Sequence, residues 1–351
     1  MSRFFKCIIS LSLVLFIAVS FVACEMDNSV LFGLPQKDEK QMEENNQTNN
    51  VSSTIEGNSG NGTLSDGQTN TQNDAKVESF TEPEKVKVYN TETKEVEEME
   101  FSLYLYRVLA GEIHNNWPTE ALKAQAILAR TYTINFLKNK KSKYEGADIS
   151  TDISEAQAYN EQNVNDAIKK AVDDTKNKVV TYKGELIEAW FFSNSGGKTT
   201  TATVGLSRSE NPEYIVSVSS PENEDNSDNF SWTATISKTK ILSALREMGI
   251  SVSNINSFEI ANKDGTGRAI NFLIGGAQVR AADFRIKVGS TELKSTKIEN
   301  IIVSRNSVYF AGKGYGHGVG LSQWGAKVMA DQGKSAEDII KHYYSGVEIT
   351  G

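Results

Sequence analysis

Residues 104–132 read YLYRVLAGEIHNNWPTEALKAQAILARTY. The stretch divides at Pro118. Beyond it, Thr119 to Leu137 is rich in Ala, Leu, Ile and Lys. A proline suits the start of such a helix, where its missing N–H would have had no partner anyway. Before it, Glu112 is a lone carboxylate in an apolar run, flanked by Val108, Leu109, Ala110 and Ile113, with Trp117 close by. Taken locally, Glu112 has two readings. It is a helix-entry carboxylate favoured by the helix dipole, or an acid in apolar surroundings with a chemical task.

Outward from this stretch, VKVYN and VEEMEFSLYLY predict a hairpin leading into Glu112. NVNDAIKKAVDDTKN predicts a second, amphipathic helix, and KVVTYKGELIEAWFFSNSGG predicts two strands around a Lys183-Gly184 turn. A short helix is expected at KTKILSALREMG, strands at RAINFLI and SVYFAGKG, and two closing helices at LSQWGAKVMADQG and SAEDIIKHYYSG. Gly333 reads as a helix stop and Ser335 as a helix cap. Strands and helices mix without regular alternation, so the expected fold is α+β, a single mixed domain over residues 86–351.

The N-terminus has a different composition. Arg3 and Lys6 precede an apolar run from Cys7 to Ala23, about right for a secretory signal and short for a membrane span. Phe21-Val22-Ala23-Cys24 resembles a lipoprotein cleavage site, which implies cleavage before Cys24 and a lipid on its sulfur, although Phe21 stands where Leu is usual. The rival reading is an uncleaved anchor helix. Either one puts the body at the outer face of the cytoplasmic membrane. Residues 25–85 are rich in Asn, Thr, Ser, Gly and Glu, with 12 acids against 4 bases. Too little apolar surface is present to offset the entropy of ordering, so a disordered tether is expected. A flexible chain of that length spans about 40–45 Å r.m.s., enough to reach into a cell wall. Without the tether and the leader, 33 acids face 31 bases, and no basic excess points to nucleic acid. Cys7 and Cys24 are the only cysteines, so a body cleaved at Cys24 has neither a disulfide nor a thiolate metal site.

Two glycine-rich segments imitate nucleotide sites. Gly197-Lys198-Thr199 looks like a phosphate loop, but Phe192 occupies the position that needs glycine. GKGYGHGVG, residues 312–320, looks like a dinucleotide fingerprint, but the chain ends about thirty residues later, too soon for the rest of that fold. Both loops remain candidates for sugar contact, because glycine lets backbone N–H groups approach a ligand and neighbouring hydroxyls suit a sugar.

The 104–132 stretch, FFSNSGGKTT, YIVSVSSP, DGTGRAINFLI and GKGYGHGVGLSQWGAKVMADQGKSAEDIIKHYYSGVEI follow one another as the motifs of the SpoIID/LytB family do. The resemblance covers about Val86 to Gly351. It implies an exported protein acting on peptidoglycan, as a lytic transglycosylase or, in the family's other branch, as a non-catalytic wall-binding enhancer of an amidase. It implies that Glu112, the Glu of the family's A-x-E motif, is the catalytic acid. An apolar pocket would keep that acid protonated by penalising its charged form. No cofactor or metal is required. Where some members bind zinc, this chain has Thr151, Glu155 and Ala156, so zinc is not expected. The long tether also departs from the usual sporulation layout of an anchor helix.

Substrate contacts are expected from several places. Gln125, Ala129 and Tyr132 share a helix stripe that faces either a glycan or the body. Arg130 is expected either to meet a muramic lactyl carboxylate or to hold a structural ion pair. Ser193, Ser195, Gly196, Gly197 and Lys198 form a polar loop. His317, between glycines, is a partner for a sugar or Glu112, or else an internal clamp. Gln323 and Trp324 open a helix, with Trp324 read as core rather than as a sugar platform. His114 and His342 are left as surface or structural residues.

Overall fold

The computed structural model describes residues 80–351. The signal segment, Cys24 and the tether up to residue 79 lie outside the described residues. Residues 80–84, expected in the tether, join the body: Phe80 packs against its core and the Glu82 carboxylate pairs with Arg130.

The chain enters through an antiparallel pair, β1 (Lys85–Tyr89) and β2 (Val96–Glu100), with Lys85 opposite Glu100. β2 runs directly into α1 (Phe101–Glu112). This corrects the expected strand at FSLYLY. Tyr and Phe favour strands, but Phe101, Tyr104, Leu105, Val108 and Leu109 are all buried, and their spacing is helical. After Pro118 comes α2 (Thr119–Asn139), which is buried on nearly every side and serves as the axis of the body. β3 (Ile149–Ser150) joins β1 in parallel, and α3 (Asp166–Asp173) packs on α2, with Asn165 as its cap.

β4 (Val179–Tyr182) and β5 (Glu185–Leu186) form the hairpin expected at Lys183-Gly184, where both residues have positive φ. β6 (Phe191–Phe192) and the single turn α4 (Ala202–Gly205) follow. The chain then builds a second unit. It contains β7 (Ser231–Ser237), α5 (Lys238–Glu247), β8 (Phe258–Lys263), β9 (Ala269–Ile274), β10 (Ala277–Arg280), α6 (Ala281–Val288), β11 (Ile298–Val303) and β12 (Ser307–Lys313). Its two antiparallel sheets have the orders β10-β9-β8 and β11-β12-β7. The last segment returns to the first unit as β13 (Leu321–Ser322), α7 (Gln323–Asp331), α8 (Ala336–Tyr343) and β14 (Glu348–Thr350). β13 pairs in parallel with β6, and β14 pairs with β4. Gly333 has positive φ after α7, and Ser335 forms a capping box with Asp338.

The fold is therefore α+β as expected, and its described residues form two hydrophobic cores. The second is built from buried residues between Trp232 and Phe310, inside a chain whose two flanks share the first. Phe258, Phe272, Phe284 and Phe310 pack edge to face or tilted at its centre. The joint between the cores is polar. Arg268 is fully buried and donates to Ser195 O at 3.1 Å, and Lys297 Nζ donates to Gly196 O at 2.6 Å.

The return segment depends on His317. Its Nδ1 accepts from Val319 N at 3.1 Å, so the ring proton belongs on Nε2, 3.0 Å from Phe191 O. Burial, with Arg285 and Arg268 nearby, pushes this imidazole down to about 3 from 6.5. It is neutral in the folded chain and binds a proton when unfolded, so the unfolded state gains stability as pH falls through 6.5 toward about 3. We predict that between these values the unfolding free energy decreases as pH is lowered, with His317 contributing a slope of up to about 1.4 kcal/mol per pH unit. Urea titrations of wild type and His317→Gln across this range check it, because the variant must show the shallower slope.

Candidate functional site

α1 ends at Glu112, and the next turn of chain returns through Ile113 to Trp117 before α2 begins. The end of α1 lies against residues 158 and 159. Gly111 permits this: a Cβ there would lie 2.6 Å from Tyr159 N and 2.7 Å from the carbonyl carbon of Ala158. With the backbones this close, Ala158 N donates to Glu112 Oε1 at 2.6 Å. Asn160 N donates to Arg107 O at 2.8 Å, which fastens the 158–160 segment along the last turns of α1. Arg107 Nη1 adds a bond to the Tyr159 hydroxyl at 2.9 Å.

Glu112 is 7% exposed and lies in the wall of a groove of about 470 Å³. One side of the groove is the end of α1 and the loop after it, with His114, Asn115 and Trp117. The other is the segment from Thr151 to Asn163, which contributes Ile153, Ala158, Tyr159 and Asn160. Ser193, Gln323 and Trp324 close it, and Glu92 reaches it from the β1–β2 turn. The two sides are tied together, because Asn115 Nδ2 donates to Asn163 O at 2.8 Å and Asn165 Nδ2 donates to Asn115 O at 3.1 Å.

The start of α7 is held with equal care. Gln323 Nε2 donates to Glu112 O at 2.9 Å, and Trp324 N donates to Ser193 O at 3.0 Å. Behind them lies Glu222, 2% exposed, a residue the motifs did not single out. Its carboxylate accepts from Ser195 N at 2.7 Å, from the Ser322 hydroxyl at 2.6 Å, and from the Ser220 hydroxyl. One buried acid thus fixes the strand end carrying Ser193 and the helix start carrying Gln323. Its place directly after YIVSVSSP was the available signal.

Of the expected site residues, the structure brings Glu112, Ser193 and Gln323 to this groove. It places the others elsewhere. Gln125 is wholly buried within α2. Arg130 is also wholly buried and holds the structural ion pair: it bonds Glu82, Thr175 Oγ1 at 3.1 Å and Val172 O at 2.9 Å. Tyr132 donates to Glu155 O at 3.1 Å and lines a separate small cleft with Trp190. Ser195, Gly196, Gly197 and Lys198 do not line the groove. Ser195 and Gly196 meet the joint with the second core, while Lys198 bridges to Ser219. At Gly196 a Cβ would lie 3.0 Å from Gly314 N, so close backbone contact accounts for that glycine, while Gly197 has positive φ and open space beside it. His317 is the internal clamp, with its two ring nitrogens directed at Phe191 O and Val319 N.

The groove is therefore not bordered by the two glycine-rich loops. It takes its far wall from residues 151–163, where Thr151 faces it while Glu155 turns inward to accept from Lys143 N at 2.9 Å. Sequence reasoning left His114 as surface or structural, named Trp117 only as part of the apolar setting of Glu112, and passed over Asn115, although all three follow Glu112 directly.

We predict that Gly111→Ala separates α1 from residues 158 and 159, at a cost of about 1–3 kcal/mol typical of overpacking. Denaturant unfolding measures the loss. Hydrogen exchange at Ala158 N, which faces Glu112, must speed up in the variant beyond the rate set by global unfolding.

The chain is similar in sequence to known proteins. The profile of the Stage II sporulation protein family matches residues 89–182, and that of a domain of unknown function matches residues 155–320. Stage II sporulation protein D of Bacillus amyloliquefaciens is 33% identical over 76% of this chain and 79% of its own length. Stage II sporulation protein D of Bacillus subtilis (strain 168) is 30% identical with the same two coverages, 76% and 79%. The amidase enhancer of Bacillus subtilis (strain 168) is 28% identical over 69% of this chain, which spans 40% of that protein. With about a third of its residues shared across most of both chains, this protein belongs to the SpoIID family, the Stage II sporulation proteins.

Proposed function

We propose that this protein is an exported peptidoglycan lytic transglycosylase, held at the outer face of the cytoplasmic membrane through Cys24, with Glu112 as its general acid and then its base. The observation that carries this reading is the placement of Glu112. It is a nearly buried carboxyl in a groove large enough for a ligand. It is also the last residue of α1, and the Ala158 amide holds its Oε1 at 2.6 Å, which fixes where the carboxyl group sits.

The chemistry follows from one such residue. Glu112 gives its proton to the glycosidic oxygen as the bond between C1 of N-acetylmuramic acid and that oxygen breaks. The carboxylate left behind takes the proton of the muramic C6 hydroxyl while that oxygen attacks C1. The products are a 1,6-anhydro end and a free hydroxyl on the leaving sugar, and no water is consumed. The same group acts as acid and base, so it ends the cycle protonated. The Ala158 amide and the Gln323 side chain position Glu112 through its Oε1 and its backbone carbonyl. The names of the relatives favour use in sporulation.

A second reading is favoured by the amidase enhancer among the relatives. On that reading the groove binds glycan without cutting it, and the partner is a wall amidase. Digestion of purified glycan strands, with and without stem peptides, separates the two. We predict anhydromuramic ends by mass spectrometry for the wild type and none for Glu112→Gln, whose amide oxygen can still accept from Ala158. Equal product from the variant removes Glu112 from its role. No product from either protein, with stimulation of an added amidase, replaces the first reading by the second.

A further inference from the structure

Four tryptophans are present, and their positions differ in kind. Trp190 belongs to the first core and Trp232 to the second. Trp117 and Trp324 instead meet at the groove, 4.7 Å apart between ring centroids and inclined at 60°. His114 completes the group, 5.1 Å from Trp117 and 6.2 Å from Trp324. Trp324 is buried to 8% exposure, as its reading as a core residue expects, while Trp117 packs partly buried against the first core.

We propose that this group is a stacking shelf for one N-acetylated pyranose ring, with Trp117 presenting the face and Trp324 and His114 backing it. The proposal rests on the glycan reading of the groove. The C–H face of a pyranose is apolar and covers an indole face as another apolar ring would. Trp117 packs against the first core but is only half-buried, so part of its indole is left to cover. Trp324 is fixed from behind, since its backbone N–H donates to Ser193 O and the Ser322 hydroxyl caps α7. The shelf is therefore rigid before a ligand arrives, which lowers the entropy cost of binding. Asn115, Asn160 and Asn163 line the same groove. Asn115 Nδ2 already donates to Asn163 O and Asn160 Oδ1 already accepts from Asn163 N, so Asn115 Oδ1 and Asn160 Nδ2 are the groups that match the N–H and C=O of an acetamido group and distinguish an N-acetylated sugar from a plain hexose.

The test uses full-length protein carrying Glu112→Gln, so that nothing is cut during titration. N-acetylglucosamine oligomers are the probe, followed by intrinsic fluorescence and calorimetry, with glucose oligomers as the comparison. The expected result is a fluorescence change with the acetylated oligomers, and affinity weakened about fivefold to tenfold by adding Trp117→Ala. Trp117→Phe recovers most of that loss. An affinity unchanged by Trp117→Ala overturns the shelf, as does an absence of binding. So does a loss that Phe does not restore and that follows a lowered thermal midpoint. If the oligomers bind through Trp117 but wild type leaves peptidoglycan uncut, the shelf stands and the transglycosylase reading falls. If wild type cuts and Trp117→Ala cuts with the same KM, the shelf falls alone.

Discussion

The contact on which the site depends is the close approach of two backbones. Gly111 lets the last turn of α1 lie against Ala158 and Tyr159. Only then does the Ala158 amide reach the Glu112 carboxyl, and only then do the loop after α1 and the 151–163 segment become two walls of one groove. The helix supplies the acid and the glycine supplies the distance. A side chain at position 111 would separate the walls before it disturbed either core.

Two further arrangements keep that contact in place. α2, buried along most of its length, fixes the loop that carries His114 and Trp117. Glu222 fixes the opposite end, through Ser195 and Ser322, so that Gln323 can reach the Glu112 carbonyl. The second core contributes no residue to the groove lining among the described residues. It acts at one remove, through Arg268 and Lys297, on the loop that follows Ser193.

Much of this was legible in the sequence because short-range rules decide it. Pro118, the Ala-rich run after it, the Lys183-Gly184 turn and the Ser335 cap all act within a few residues. FSLYLY misled because residue type and spacing disagree there: aromatic residues favour a strand, while the buried positions repeat as a helix. The two cores were not legible, since nothing local marks which of several strands share an interior. Glu112 was singled out by an apolar setting and a family motif together. Its neighbours from the 151–163 segment were passed over because a wall assembled from distant chain segments leaves no pattern in either one. Arg130 and the glycine-rich loops misled for another reason. Charge and glycine suit a ligand and a tight interior joint equally well, and burial alone tells them apart.

The central claim is that one carboxyl lends and retakes a proton while the substrate's own hydroxyl displaces the leaving sugar. Digestion of glycan strands in heavy-oxygen water tests this most directly. The account predicts anhydromuramic products with no heavy oxygen incorporated at the new end. A reducing end carrying solvent oxygen would show that water is the nucleophile and would contradict it.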